Sequence, residues 1–91
     1  MSKVIVTSQV QDPAKWEAGF RTHADVFRKY TLRAPVHFSV SGNEVTICFE
    51  PDNLETFKNM VSSPETQAAM VSDGVKRETL KMTVLEKELK L

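Results

Sequence analysis

Residues 34–50, APVHFSVSGNEVTICFE, decide the fold. On either side of Ser41-Gly42-Asn43, apolar and polar residues alternate with a period of two, as they do in a strand that buries one face. The apolar positions of the two runs are Val36, Phe38, Val40, Val45, Ile47 and Phe49. Two such runs around a short glycine-containing turn predict a β-hairpin, with strands over residues 34–40 and 44–50.

The residues before the hairpin predict a strand followed by a helix. Residues 3–10 form a short run rich in β-branched side chains, which is typical of a strand. Asp12 is suited to cap a helix and Pro13 to occupy its first position. The next large side chains recur at steps of four and three residues, on one helical face: Trp16, Phe20, His23, Phe27 and Tyr30. We therefore expect one helix from residue 13 to about residue 30.

The residues after the hairpin predict a second helix and a last strand. Pro51-Asp52-Asn53 ends the preceding strand and supplies the cap of a helix that begins near residue 54. The helix restarts at Ser63-Pro64, with Ser63 as its cap, and ends at Gly74, a residue that accepts the left-handed conformation of a helix end. A strand is expected over residues 79–89. Its apolar residues occupy even positions as far as Val84 and odd positions from Leu85 onward. This change indicates either a bulge near Leu85 or a tail whose apolar side faces another molecule.

The predicted order is β-α-β-β-α-β, in one domain of 91 residues. With right-handed crossovers this order gives a ferredoxin-like α+β fold, in which a four-stranded antiparallel sheet carries two helices on one face. The other face would carry His37 and Cys48 among mostly polar neighbours. A second copy of the chain would cover that face and close an eight-stranded barrel, so we expect a homodimer.

Composition excludes several classes of function. Twelve basic and twelve acidic residues leave no net charge to attract nucleic acid or an anionic membrane. Cys48 is the only cysteine, which excludes an internal disulfide and a cysteine-rich zinc site and favours a reducing, cytoplasmic setting. No run approaches the roughly 20 apolar residues of a membrane span. The chain also has no glycine-rich phosphate loop and no recognised spacing of metal ligands, so we expect no metal or cofactor.

His23 is the most informative candidate for chemistry. If it faces a cavity, its imidazole is suited to acid–base catalysis or to hydrogen bonding with a ligand's carbonyl or phenol group. The alternative is a boundary histidine that bonds a backbone carbonyl or turns to solvent. Trp16 and Tyr30 are suited to stacking on an aromatic ligand, but a helical aromatic stripe is also an ordinary packing device. His37 either lines the interior of the expected barrel or lies at a surface or interface.

Two segments carry a family resemblance. VIVTSQVQDPAKWEAGF, residues 4–20, has an Asp-Pro-x-x-Trp helix entry, and SPETQAAMVSDGV, residues 63–75, has a Ser-Pro-Glu restart that ends in Asp-Gly-Val. In these features the chain resembles the dimeric α+β barrel superfamily, which includes antibiotic-biosynthesis-monooxygenase-like proteins, stress-responsive barrel proteins and polyketide cyclases. The resemblance implies homodimers with a small cavity between helices and sheet in each subunit.

The same resemblance implies a class of activity. It suggests a cofactor-independent monooxygenase- or cyclase-type enzyme acting on a small, largely apolar molecule, with His23 as the acid–base group. The expected pocket residues are Trp16, Phe20, Phe27, Tyr30 and His37. A haem role is disfavoured, because the second helix has Gln67 and Met70 where haem-degrading relatives have a histidine, and the first strand has Ser8 and Gln9 in place of their asparagine. The alternative is a non-catalytic module of the same fold that binds a ligand or another protein.

Overall fold

A computed structural model describes residues 3–29 and 35–91 of the chain. In these ranges four strands form one antiparallel sheet in the order β2-β3-β1-β4. Two helical pairs, α1–α2 and α3–α4, connect the strands. This arrangement confirms the ferredoxin-like α+β fold. The elements are β1 (Lys3–Val10), α1 (Pro13–Arg21), α2 (Ala24–Lys29), β2 (His37–Ser41), β3 (Glu44–Phe49), α3 (Leu54–Ser62), α4 (Pro64–Ser72) and β4 (Val75–Leu85).

Three side chains fix where the helices begin. Asp12 accepts hydrogen bonds from the backbone N–H groups of Ala14 and Lys15 through Oδ1, at 3.1 and 3.2 Å. Asn53 accepts from the N–H of Thr56 at 3.0 Å, and Ser63 accepts from the N–H of Thr66 at 3.2 Å. Each bond satisfies a donor that the first helical turn leaves unpaired. The capped positions are those that the sequence predicts.

The first helical region differs from the prediction of one helix to about residue 30. It is interrupted at Thr22 and His23, which lie between α1 and α2. The hydroxyl of Thr22 donates to the carbonyl of Gly19 at 2.6 Å, and the backbone N–H of His23 donates to the carbonyl of Phe20 at 3.0 Å. Both bonds span three residues and tighten the last turn of α1, so the helix ends there. Tyr30 and the start of the predicted second strand lie outside the described residues.

The last strand runs over Val75–Leu85 rather than residues 79–89. Its pairing with β1 changes register within the strand. Thr7 pairs with Lys81, but Gln9 pairs with Lys76. A step of two residues along β1 therefore corresponds to a step of five residues along β4. The hydroxyl of Thr79 accepts from the N–H of Gln9 at 2.8 Å and donates to the carbonyl of Lys76 at 2.6 Å. The bulge therefore lies at residues 77–80 and not near Leu85.

The helices cover one face of the sheet, and the core lies between these layers. The buried apolar residues are Val4, Val6, Val10, Trp16, Val45, Ile47, Phe49, Phe57 and Met60. Val40, which the alternation places on the same face, is 39% exposed near the end of the edge strand β2. The uncovered face, defined by the outward residues of the strands, includes Ile5, Thr7, His37, Thr46, Cys48 and Thr83.

The residues beyond β4 have no regular structure. Leu89 and Leu91 are exposed there, as is Leu85 at the end of the strand. The apolar side chains at this end of the described chain are therefore accessible to solvent or to another molecule. Among the described helices, none has both the length and the apolar character needed to cross a membrane.

Candidate functional site

A cavity of about 320 Å³ lies between the helices and the covered face of the sheet. This volume is at the lower end of the range for small-molecule sites. Residues of β1, β3 and β4 form its floor, and residues of all four helices form its walls. Among the apolar lining residues are Val6, Ile47, Phe49, Met60, Ala69 and Met70.

One wall of the cavity is aromatic. The rings of Trp16 and Phe20 stack with centroids 4.8 Å apart and planes 19° from parallel. Phe20 also contacts Phe27 at 5.3 Å, and Phe27 meets Phe49 edge-on at 5.6 Å. Because each ring is held by another, the wall has a fixed shape, and flat ring faces are surfaces on which a planar ligand stacks well.

His23 and Asp73 form a close pair of ionisable side chains in the lining. His23 Nδ1 lies 3.7 Å from Asp73 Oδ2, and the two side chains are 26% and 13% exposed. The separation is longer than a hydrogen bond, but it gives a strong electrostatic contact when the imidazole is protonated. The carboxylate is therefore placed to stabilise positive charge on His23.

Asp73 occupies an unfavourable place for a carboxylate. It is the C-cap of α4, where the helix dipole disfavours negative charge. Burial raises the pKa of Asp73, and the positive charges of His23 and Lys15 partly oppose that effect. Gly19 of α1 makes room for the side chain, because a Cβ at position 19 would lie only 2.7 Å from the Asp73 Cγ. An ionisable side chain that close packing of two helices holds in an environment unfavourable to its charge is typical of a functional site.

Ser8 adds a small polar group to the floor. It lies on β1 between the buried residues Val6 and Val10 and is 6% exposed. Ser8 is one of the residues that line the cavity, so its hydroxyl borders the space that a ligand would occupy. A hydroxyl both donates and accepts, so Ser8 is available to a ligand in the cavity.

The structure brings together four of the six pocket and catalytic residues expected from the sequence. Trp16, Phe20, His23 and Phe27 line the cavity. His37 does not, since it lies exposed on the uncovered face and directly opposite Cys48 in the β2–β3 pairing. Tyr30 lies outside the described residues. Within those residues, no cluster of three or more His, Cys, Asp or Glu side chains is arranged to hold a metal ion.

Sequence reasoning missed Ser8, Gly19 and Asp73. Asp73 lies 50 positions from His23 in the chain, and no local pattern joins the two. Two weak signals were present: an acidic residue immediately before the Gly74 helix stop, where a cation is preferred, and a glycine inside a predicted helix. Each of these residues lowers the stability of its own helix, and only the contact between them in the folded chain explains why it is there.

Comparison with known proteins identifies the fold. No protein-family model matches the chain, and no curated protein matches it. Among solved structures, SnoaB, a cofactor-independent oxygenase from Streptomyces nogalater, aligns with a TM-score of 0.73 at 14% identity, over 99% of this chain and 95% of that one. An antibiotic biosynthesis monooxygenase aligns at 0.67 and 10% identity, over 98% and 100%. At3g17210 from Arabidopsis thaliana aligns at 0.67 and 12% identity, over the whole of both chains. The chain therefore has the ferredoxin-like fold of the antibiotic-biosynthesis-monooxygenase-like structures.

Proposed function

We propose that this protein is an enzyme that removes a proton from a small, largely apolar ring compound, with His23 as the base and without a prosthetic group. The observation that carries the proposal is the contact between His23 and Asp73 inside a cavity whose other walls are mostly apolar. Packing alone does not require an acid–base pair in a concave, largely apolar and aromatic cavity, whereas catalysis by proton transfer does.

The first step follows from the properties of these groups. Neutral His23 accepts a proton from an acidic O–H or C–H of the bound ring compound. The carboxylate of Asp73 stabilises the imidazolium that forms, because it lies close and is shielded from water. The aromatic wall holds the ring of the ligand against Trp16 and Phe20, and the hydroxyl of Ser8 is available to bond a polar substituent.

An oxygenase reaction completes this step with molecular oxygen as co-substrate. The anion left by deprotonation of an activated CH₂ group gives its electrons to O₂. One oxygen atom enters the substrate as a carbonyl and the other leaves as water, so that R₂CH₂ and O₂ give R₂C=O and H₂O. Support comes from the fold shared with SnoaB, described as a cofactor-independent oxygenase. A cyclase would begin with the same deprotonation and use the anion as a carbon nucleophile.

The test uses anthrone, a flat compound whose CH₂ group lies between two aromatic rings and a carbonyl. We expect the wild-type protein to consume O₂ with anthrone, and His23→Ala to lower kcat/KM by roughly 10²- to 10⁴-fold, the usual contribution of a general base. His37→Ala is the matched control, because this second histidine lies on the opposite face of the sheet. Unchanged turnover in His23→Ala would remove His23 from the mechanism. Ligand binding without any turnover would favour a non-catalytic module.

We also propose that the protein is a cytoplasmic homodimer that pairs through the uncovered face. Ile5 and Cys48 are adjacent on this face, and neither is a residue that favours water. The exposed leucines at the end of β4 and in the residues after it add further apolar surface. In sedimentation velocity at micromolar concentration we expect twice the mass of one chain. Thr46→Arg, in the middle of the face, should give monomers, whereas Ala68→Arg on the exposed side of α4 should not.

A further inference from the structure

The charged groups in the cavity wall are unevenly distributed. Glu65 and Asp73, at opposite ends of α4, both line the cavity, and His23 is the one basic side chain beside them. Over residues 3–29 and 35–91, no lysine or arginine contributes to the lining. At 1.5 Å per helical residue, positions 65 and 73 are about 12 Å apart, so each acid acts on a different end of a bound ligand.

The two acids are not equivalent. Glu65 is about half exposed and lies 3.9 Å from the ammonium group of Lys29. Water and this cation both weaken its effect on a ligand. Asp73 is 13% exposed, and the groups that act on its charge are His23, which is positive only when protonated, and Lys15. The negative charge of Asp73 is therefore less screened than that of Glu65 and acts more strongly on a ligand in the cavity.

A second anion beside Asp73 would be strongly disfavoured. Two negative charges a few ångströms apart in a largely apolar cavity repel each other more strongly than in water. The described residues of the cavity wall also offer no guanidinium or ammonium group to replace the water that a ligand's carboxylate loses on entry. A neutral hydroxyl, in contrast, can donate a hydrogen bond to this carboxylate, and an ammonium group can form an ion pair with it.

We infer that the cavity selects ligands by charge, admitting ring compounds that are neutral or cationic and excluding those that carry a carboxylate, with Asp73 as the specificity-determining residue. The inference rests on the proposed function only in placing the ligand in the same cavity. It narrows the substrate class to neutral hydroxylated rings and ring-bearing amines. An acid would have to be converted to an amide, ester or decarboxylated form before it entered.

The experiment compares three probes that share one bicyclic ring: 2-naphthol, 2-naphthylmethylamine and 2-naphthoate. Binding is followed at pH 8 by the indole N–H signal of Trp16, which is the only tryptophan of the chain and lines the cavity. For the wild-type protein we expect 2-naphthoate to bind at least tenfold more weakly than 2-naphthol. The ammonium probe should bind at least as tightly as 2-naphthol.

Three variants identify the residue responsible. Asp73→Asn keeps the shape that fits beside Gly19, removes the charge, and should bring the affinities of 2-naphthoate and 2-naphthol within threefold of each other. Glu65→Gln is the matched control and should leave the difference in affinity between 2-naphthoate and 2-naphthol, the affinity gap, unchanged. Lys15→Gln removes a solvent-exposed cation that acts on Asp73, carries little risk to folding, and should widen the gap.

Several results would overturn the inference. They are equal binding of 2-naphthoate and 2-naphthol to the wild-type protein, a gap that closes in Glu65→Gln but persists in Asp73→Asn, and no shift of the Trp16 signal with any probe. The outcome is separable from that of the proposed function. Charge-selective binding without turnover of any substrate contradicts only the enzyme. Turnover that depends on His23, together with tight binding of 2-naphthoate, contradicts only the charge selection.

Discussion

Gly19→Ala tests whether the close approach of α1 and α4 serves the site. The added methyl group would lie within 2.7 Å of the Asp73 Cγ and still nearer to its Oδ1, whereas carbon atoms normally pack at 3.5–4.0 Å. The Asp73 side chain must therefore turn away. An off-rotamer side chain costs about 0.5–1.5 kcal/mol, and replacing glycine by alanine inside a helix contributes about 1 kcal/mol of stability. These terms differ by at most about 0.5 kcal/mol, so the melting temperature should move by less than about 4 °C.

The effect on the site should be much larger than the effect on stability. Two opposite charges 3.7 Å apart interact by roughly 4 kcal/mol at the effective dielectric of a protein surface, and solvent at the partly exposed His23 reduces that value. If only about 1.4 kcal/mol of this interaction stabilises the transition state, losing it would still lower the rate tenfold. We therefore expect kcat/KM for anthrone to fall at least tenfold in Gly19→Ala.

The measurement combines O₂ consumption, thermal melting and the ¹⁵N signals of the His23 ring, which report its surroundings without reference to turnover. The control is Ala18→Gly, at the exposed neighbouring position of α1, which should cost about 1 kcal/mol of stability and leave both activity and the His23 signals unchanged. The reasoning is refuted if Gly19→Ala keeps its activity and its His23 signals. It is also refuted if the variant simply unfolds.

Three further substitutions have defined outcomes. Asp73→Asn should stabilise the protein at pH 7 by about 0.3–1 kcal/mol, because a charge at the C-terminal end of a helix is removed. Because the pKa of Asp73 is raised in the folded state, ionisation of this carboxyl destabilises the fold as pH rises. In thermal melts, the stability that Asp73→Asn adds should therefore shrink as pH falls and vanish below the usual pKa of 3.8. An added stability that grows in acid would contradict this prediction. Ser63→Ala should cost about 1 kcal/mol in urea unfolding through loss of the α4 cap, with activity retained. Phe57→Ala, at a fully buried position, should cost about 3–5 kcal/mol and lower the melting temperature in circular dichroism by at least about 12 °C. A melting temperature near that of wild type would contradict the place of Phe57 in the core.

Local signals were sufficient for most of the fold. The strand over Lys3–Val10, the hairpin turn and the caps at Asp12, Asn53 and Ser63 all depend on neighbouring residues, and the structure agrees with each. The last strand was misplaced because residues 76–78 are charged and the bulge breaks the alternation that marks a strand. Its true start follows from Gly74, whose φ of 76° ends α4 and turns the chain directly into β4.

The candidate site was predictable only in part. The aromatic residues and His23 share a helical spacing, which is a local property and predicts a common wall. The partner of His23 comes from another helix, and its position depends on how closely α1 approaches α4 at Gly19. For His37, the alternation correctly predicts the sheet face away from the helices. The cavity lies on the other face, so this local pattern did not make His37 a cavity residue.

The bulge at residues 77–80 also bears on the tendency of the sheet to recruit other chains into fibrils. β4 is an edge strand, and a long flat edge is a template for intermolecular pairing. Here Thr79 ties the displaced segment to both Gln9 and Lys76, so the edge is twisted for part of its length and a register slip would sacrifice both hydrogen bonds. Replacing Thr79 would thus leave a straighter, less protected border, and insoluble aggregates should form faster on agitation even where ligand binding is intact.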